Sequence, residues 1–279
     1  MKTRTLCAVA LTAIISSSLV GGAAAFAETT EHSKAGKGII EIIEDTDDNG
    51  DIDPEKEGGG IIPDPDTVDK NTVPGAITID RVAVLNFGKQ KVSTKTETYT
   101  ASEIPVTEIA ADGTENPDKT VRGPYVQWTD KRAGEDHTYA IKAELTKQFT
   151  LVGNTKTLDK STISYKNGLL NSTQENLAYW PAGEPGNFTL GNGTDNEGAG
   201  KQLVFDNTKS TGAVGLGTYS AEFGQSADFL AENIKRPGAP TAGIGEAASS
   251  VSLKVPAQTV ELGAYQADIT WSIEYTPAP

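Results

Sequence analysis

The chain has 279 residues and a formal net charge of −14, from 38 Asp and Glu against 24 Lys and Arg, with one Cys and two His. So large an excess of carboxylate gives nothing to pair with phosphate groups, which excludes nucleic acid and anionic lipid as partners. The single Cys7 excludes a disulfide framework, and His32 and His137 alone are too few for a His-rich metal site.

The first 27 residues read as a cleavable secretory signal. Lys2 and Arg4 form a positive start, Leu6 to Ile15 an apolar run too short to span a bilayer, and Ala25-Phe26-Ala27 a small-x-small cleavage site. Cys7 opens the apolar run instead of following it, so it is misplaced for a lipid anchor. The expected mature chain carries neither Cys nor Met, and no further stretch is apolar enough to insert in a membrane. A secreted domain that folds by core burial alone follows from this.

Residues 28–75 read as a disordered acidic tail or linker, rich in Pro, Gly and Asp. Residues 41–70 hold twelve Asp or Glu against Lys56 and Lys70. Within the tail, Gly38-Ile39-Ile40-Glu41-Ile42-Ile43 is the main apolar patch, either a strand offered to another chain's sheet or a fragment of the tail. Asp45, Asp47, Asn49, Asp51 and Asp53 place oxygen donors at positions 1, 3, 5, 7 and 9 of a calcium-type loop, with Gly50 at position 6. Lys56 stands where the bidentate acid belongs and no amphipathic helix flanks the loop. Calcium is therefore the one cofactor the sequence offers, against an alternative of charge-repelled linker.

From Ala76 onward the pattern turns to short segments alternating with period two, which predicts an all-β antiparallel sandwich or barrel over residues 76–279. Strands are expected at Ile77 to Leu85, Tyr125 to Thr129, Tyr139 to Leu145, Phe149 to Val152, Ile163 to Tyr165, Gln202 to Phe205, Val251 to Val255 and Ala267 to Tyr275. Long loops are expected over 101–119 and 183–200, and a short helix over Ser226 to Lys235. No Gly-x-Ser-x-Gly string surrounds a serine and no carboxylate pair stands out by spacing, so the chain reads as a non-enzyme.

Two strings carry a resemblance. Trp128-Thr-Asp130-Lys-Arg132 runs from a strand into a turn ahead of Tyr139-Ala140-Ile141, and Trp271-Ser272-Ile273 lies on the last predicted strand. With Asn86-Phe87-Gly88 after the opening strand, and the acidic linker, these resemble the WxL domain, a cell-wall-binding module of surface proteins in low-GC Gram-positive bacteria. Ile replaces the motif's Leu in both places, and Tyr139 stands for its proximal Trp. The resemblance implies an all-β domain bound non-covalently to peptidoglycan, in complexes with other WxL proteins and a membrane-tethered WxL-interacting protein. It makes Trp128, Asp130, Arg132, Tyr139, Trp271 and Ile273 the candidate peptidoglycan-binding residues, with core packing as the alternative for the aromatics.

The expected place of action is therefore the cell surface or wall after secretion. With no sorting string or apolar tail in the sequence, retention by binding is expected. The alternatives are a subunit of an extracellular assembly whose partners supply the wall attachment, and an adhesin or glycan-binding module.

Overall fold

The computed structural model describes residues 37–275, apart from residues 44, 74, 111, 135, 195 and 237. The chain divides into two compact units, 1–42 and 43–279. The described residues of the first unit, 37–42, lie outside any helix or strand and expose Ile39, Ile40 and Ile42. The signal-like residues 1–27 and His32 lie outside the described residues.

The described residues of the second unit form fifteen strands: β1 (Gly60–Pro63), β2 (Val68–Lys70), β3 (Ile77–Ala83), β4 (Glu97–Thr100), β5 (Ile104–Ile109), β6 (Glu115–Arg122), β7 (Tyr125–Asp130), β8 (Ala140–Leu151), β9 (Thr162–Tyr165), β10 (Gly168–Ser172), β11 (Phe188–Gly191), β12 (Gln202–Asp206), β13 (Gly217–Phe223), β14 (Val251–Val255) and β15 (Tyr265–Glu274). They pair antiparallel in four sheets, ordered β1-β5-β6, β10-β13-β7-β3-β2, β11-β9-β14-β4 and β12-β8-β15. The all-β class expected from the period-two pattern is what the chain adopts.

The centre of the largest sheet is β7, whose six residues are all buried, as a strand covered on both faces requires. Trp128 on β7 packs edge-on to Tyr139 at 6.3 Å, stacks near Tyr219 at 6.1 Å and lies 5.7 Å from Phe205. A second aromatic group joins Tyr165, Phe188 and Phe223 to Trp271 on β15. A separate small core, Ile61, Ala83, Ile104, Val106 and Tyr125, gathers side chains of β1 and β5 with β3 and β7.

Several expectations need correction. Loops were expected over 101–119 and 183–200, but β5, the start of β6 and β11 fall there. The two predicted segments around Tyr139 to Val152 are one strand, β8. The helix expected over Ser226 to Lys235 reduces to a single 3-10 turn at Ala231–Asn233, and the one α-helical turn lies at Ala247–Ser250.

The largest correction concerns the acidic linker. Residues 45–73 are part of the folded unit: Ile52 and Ile61 are buried, and so are Asp53 and Glu55, at 1% and 2% exposure. Arg122, at the end of β6, explains this burial. It donates through Nε and Nη2 to both oxygens of Asp53 at 2.7 and 2.8 Å, and through Nη2 to Glu108 at 2.6 Å. Arg81 on β3 clamps Asp48 with two bonds of 2.6 and 2.8 Å and binds Asp51 at 3.0 Å. Gln127 of β7 completes the seam, accepting from Ile52 N at 3.0 Å and donating to the Gly50 carbonyl at 2.8 Å. Charges that repel one another within the segment are neutralised by cations 30 to 69 residues away.

Removing one partner of a buried ion pair leaves an uncompensated charge and costs about 3–5 kcal/mol. Deleting residues 28–43 should therefore leave the melting temperature unchanged. Deleting residues 28–75 strands both arginines and should lower it by roughly 6–12 °C or more, on the scale of about 2–4 °C per kcal/mol for a unit of this size. Thermal unfolding followed by circular dichroism distinguishes the two truncations.

Candidate wall-contact site

Asp130 ends β7 and has no exposed surface. Two residues on, Arg132 turns back onto it: its backbone N, Nε and Nη2 donate to the Asp130 carboxylate at 3.1, 3.0 and 2.7 Å. Such a two-pronged, charge-assisted arrangement fixes the plane of the guanidinium. The Arg132 guanidinium then lies 4.6 Å from the centre of the Tyr275 ring, a cation–π contact at the end of β15. Hydrogen bonding to Asp130 holds the Arg132 guanidinium above its ordinary pKa, so its charge is permanent. Tyr275 is 42% exposed, the outermost member of the series Trp128, Asp130, Arg132, Tyr275.

Around this end of β15 the surface is polar. Glu274 accepts from Lys142 of β8 at 2.6 Å and from Lys201 at 2.7 Å, and these two lysines draw its carboxyl down to about 2. Farther along the strand pair, the hydroxyls of Thr146 and Thr270 meet at 3.1 Å. The outward positions of β15, Gln266, Asp268 and Thr270, are exposed, while Ala267, Ile269, Trp271 and Ile273 pack against the core. The result is a hydroxyl- and charge-bearing sheet face ending in an aromatic ring.

The sequence-derived candidates divide accordingly. Trp128 and Tyr139 are wholly buried and pack in the core. Asp130 is equally buried and acts by holding Arg132. Trp271 and Ile273 are partly buried against the aromatic core, opposite Ala143 and Ile141 of β8. Arg132, Trp271 and Ile273 are each half-buried, and the Arg132 guanidinium lies over Tyr275. Tyr275 itself was missed as a site residue, although alternation through Trp271 and Ile273 places it next on the same side of the strand. His137, expected in a polar turn, is buried with Nδ1 3.2 Å from Asp130.

The calcium-type loop is not assembled. Asp45 pairs with Lys131 at 2.6 Å, Asp51 with Arg81 and Lys70, and Asp53 with Arg122, while Asn49 Nδ2 donates to Thr129 Oγ1 at 2.9 Å. The Asp47 backbone N donates to Asp45 Oδ1 at 2.9 Å. Asp45, Asp51 and Asp53 are thus each engaged by different arginines or lysines, which compete for the lone pairs a metal ion would need. Among the described residues, no group of three or more His, Cys, Asp or Glu is placed to hold a metal ion.

Behind the Arg122 cluster lies a different kind of carboxylate. Glu222 on β13 is fully buried, with Oε1 accepting from Gly123 N at 2.8 Å and Oε2 without a hydrogen-bond partner. A Cβ at Gly123 would collide with the Gly224 carbonyl, so only glycine allows this approach. Burial pushes the Glu222 carboxyl well above the ordinary carboxylate range, and burial likewise raises Glu55 and Asp80.

The family model described as WxL domain, surface cell wall-binding, matches residues 29–277, nearly the whole chain. No curated protein and no solved structure matches. Among the described residues, no helix is long and apolar enough to cross a membrane.

The three raised carboxyls set a pH dependence. Unfolded, they titrate near about 4; folded, they hold their protons to higher pH, so the native state binds more protons than the unfolded chain above that value. Their contribution to stability is complete below about pH 4 and is lost as pH rises toward the folded pKa values. Glu222→Gln keeps the carbonyl acceptor for Gly123 and removes the titration. It should raise the melting temperature at pH 8 and leave it nearly unchanged at pH 4, as differential scanning calorimetry would record.

Proposed function

Since the chain belongs to the WxL family of surface cell-wall-binding domains, we propose that it is secreted and attaches non-covalently to peptidoglycan through the end of β15. A cell-wall-binding role at the surface is what membership of the family establishes, and the family is not an enzymatic one. The secretory route is supported by the signal-like first 27 residues. Peptidoglycan as the ligand is supported chiefly by one observation: the buried Trp128 and Asp130 and the half-buried Arg132 end in an exposed Tyr275, beside a face of hydroxyls and paired charges. An aromatic ring offers an apolar plane to a sugar, and the neighbouring Thr, Lys and Glu side chains offer donors and acceptors. The motif's buried residues hold the platform in position, and the exposed end makes the contact.

The same reading includes other WxL proteins and a membrane-tethered WxL-interacting protein as partners. A family built for surface display supports it, as does the surface left free when one strand end carries the wall contact.

Co-sedimentation with purified peptidoglycan tests the proposal. The wild-type chain should pellet. Tyr275→Ala should weaken binding roughly tenfold, about 1.4 kcal/mol, and lower the melting temperature by at most about 4 °C, the scale of one exposed cation–π contact. A wild-type chain that stays in the supernatant contradicts the peptidoglycan assignment, and a Tyr275→Ala chain that pellets like the wild type contradicts the placement of the contact.

A further inference from the structure

The segment after β3, residues 84–96, forms no strand and bounds a cleft of about 910 Å³. Phe87, Phe149, Leu158, Leu253 and Tyr265 line its apolar interior. Val84, Val92 and Leu262, exposed by 37%, 61% and 87%, stand at its walls. Three large exposed hydrophobic residues around one cleft are more than scattered surface apolarity and mark a place where something docks. Along the cleft runs β4, an edge strand that pairs with β14 alone. An unpaired strand edge beside an apolar cleft is a template for one more strand.

The chain itself carries a segment of matching chemistry. Ile39, Ile40, Ile42 and Ile43 are exposed by 80–90%, with Glu41 between them. As a strand, these residues put Ile40 and Ile42 on one face and Glu41, flanked by Ile39 and Ile43, on the other. The wall formed by residues 84–96 holds Lys89, Lys91 and Lys95, all exposed and, among the described residues, in no ion pair. Apolar side chains would meet the apolar interior while the one acid meets a lysine-bearing wall.

Connectivity decides whose segment docks. Asp45 is tied to Lys131, next to the Ile77 end of β3, since Lys131 N donates to the Ala76 carbonyl. The cleft begins at Val84, beyond the other end of β3, roughly 23 Å away at about 3.3 Å per residue. Ile42 is only three residues from Asp45, a reach of about 10 Å. A reach of that length, set against the length of β3, favours a second copy as the donor of the strand.

We propose that residues 38–43 of one copy add as a strand to β4 of a second copy and fill the cleft between residues 84–96 and β14, so that the protein self-associates. This goes beyond wall binding, since the surface used is neither Tyr275 nor the outer face of β8 and β15. Donor and acceptor are different patches, so the contact is head-to-tail and either closes reciprocally or extends.

Light scattering coupled to size exclusion, on the chain from residue 28 onward at concentrations up to several hundred micromolar, tests this. The mass should rise with concentration above that of one chain. It should collapse to one chain in Ile40→Asp/Ile42→Asp, and separately in Lys89→Glu/Lys91→Glu, all at exposed positions that leave the melting temperature unchanged. A one-chain mass at every concentration overturns the proposal, as do multimers that survive both double substitutions. Neither result depends on whether the chain pellets with peptidoglycan.

Discussion

The buried guanidinium groups of Arg81 and Arg122 are the interaction on which the rest of the structure depends. Each is nearly inaccessible to water and each is surrounded by carboxylates drawn from residues 48–55, with Glu108 added at Arg122. An isolated buried guanidinium is prohibitively costly, and an uncompensated run of acids repels itself, so each side makes the other tolerable. Through this pairing the acidic segment is laid along β3 and β7. That placement buries Ile52 and Ile61, builds the second small core, and allows β1 to pair with β5. The proposed wall-contact end depends on the same β7 strand, since Trp128 and Asp130 are its fourth and sixth residues.

The WxL-type motif residues can be understood in the same terms. Their tryptophans contribute area and stacking, and among the described residues neither Trp128 nor Trp271 finds a hydrogen-bond partner for its indole nitrogen. Apolar packing is therefore what the motif supplies, and Ile in place of Leu at positions 141 and 273 preserves it at nearly constant volume. Tyr139 replaces the proximal Trp at a fully buried site, edge-on to Trp128, with its hydroxyl donating to the Gly215 carbonyl at 3.4 Å. Charged chemistry enters the motif where Asp130 orients Arg132, and in the proposed binding mode these two residues join the fold to the contact.

Much of the central scaffold was legible in the sequence. Strands β3, β7, β8, β9, β12, β14 and β15 alternate apolar and polar residues or carry dense aromatics, and local patterning suffices to find them. Two of the missed strands, β6 and β11, lack that signal. β6 reads Glu-Asn-Pro-Asp-Lys-Thr-Val-Arg, polar almost throughout, because it is an edge strand with most of one face and one side in water. β11 is four residues in a Gly- and Asn-rich stretch, defined by pairing with β9 and not by its own propensity. The acidic segment misled for a related reason: composition counts its charges but cannot see Arg81 or Arg122 across the intervening residues. The calcium-type spacing of Asp45 to Asp53 is likewise a real pattern whose lone pairs are directed elsewhere. Tyr275, at the close of a legible strand, lay within reach of the alternation argument, whereas its cation partner required the turn after β7 to be known.

In the proposed binding mode the motif tryptophans hold the platform without touching the wall. The chain has three tryptophans, Trp128, Trp180 and Trp271, so their fluorescence addresses it directly. Emission and acrylamide quenching should be the same for free protein and for protein bound to solubilised peptidoglycan fragments. A blue shift with protection from quenching on binding, abolished by Trp271→Phe, would put an indole in the contact and contradict the account.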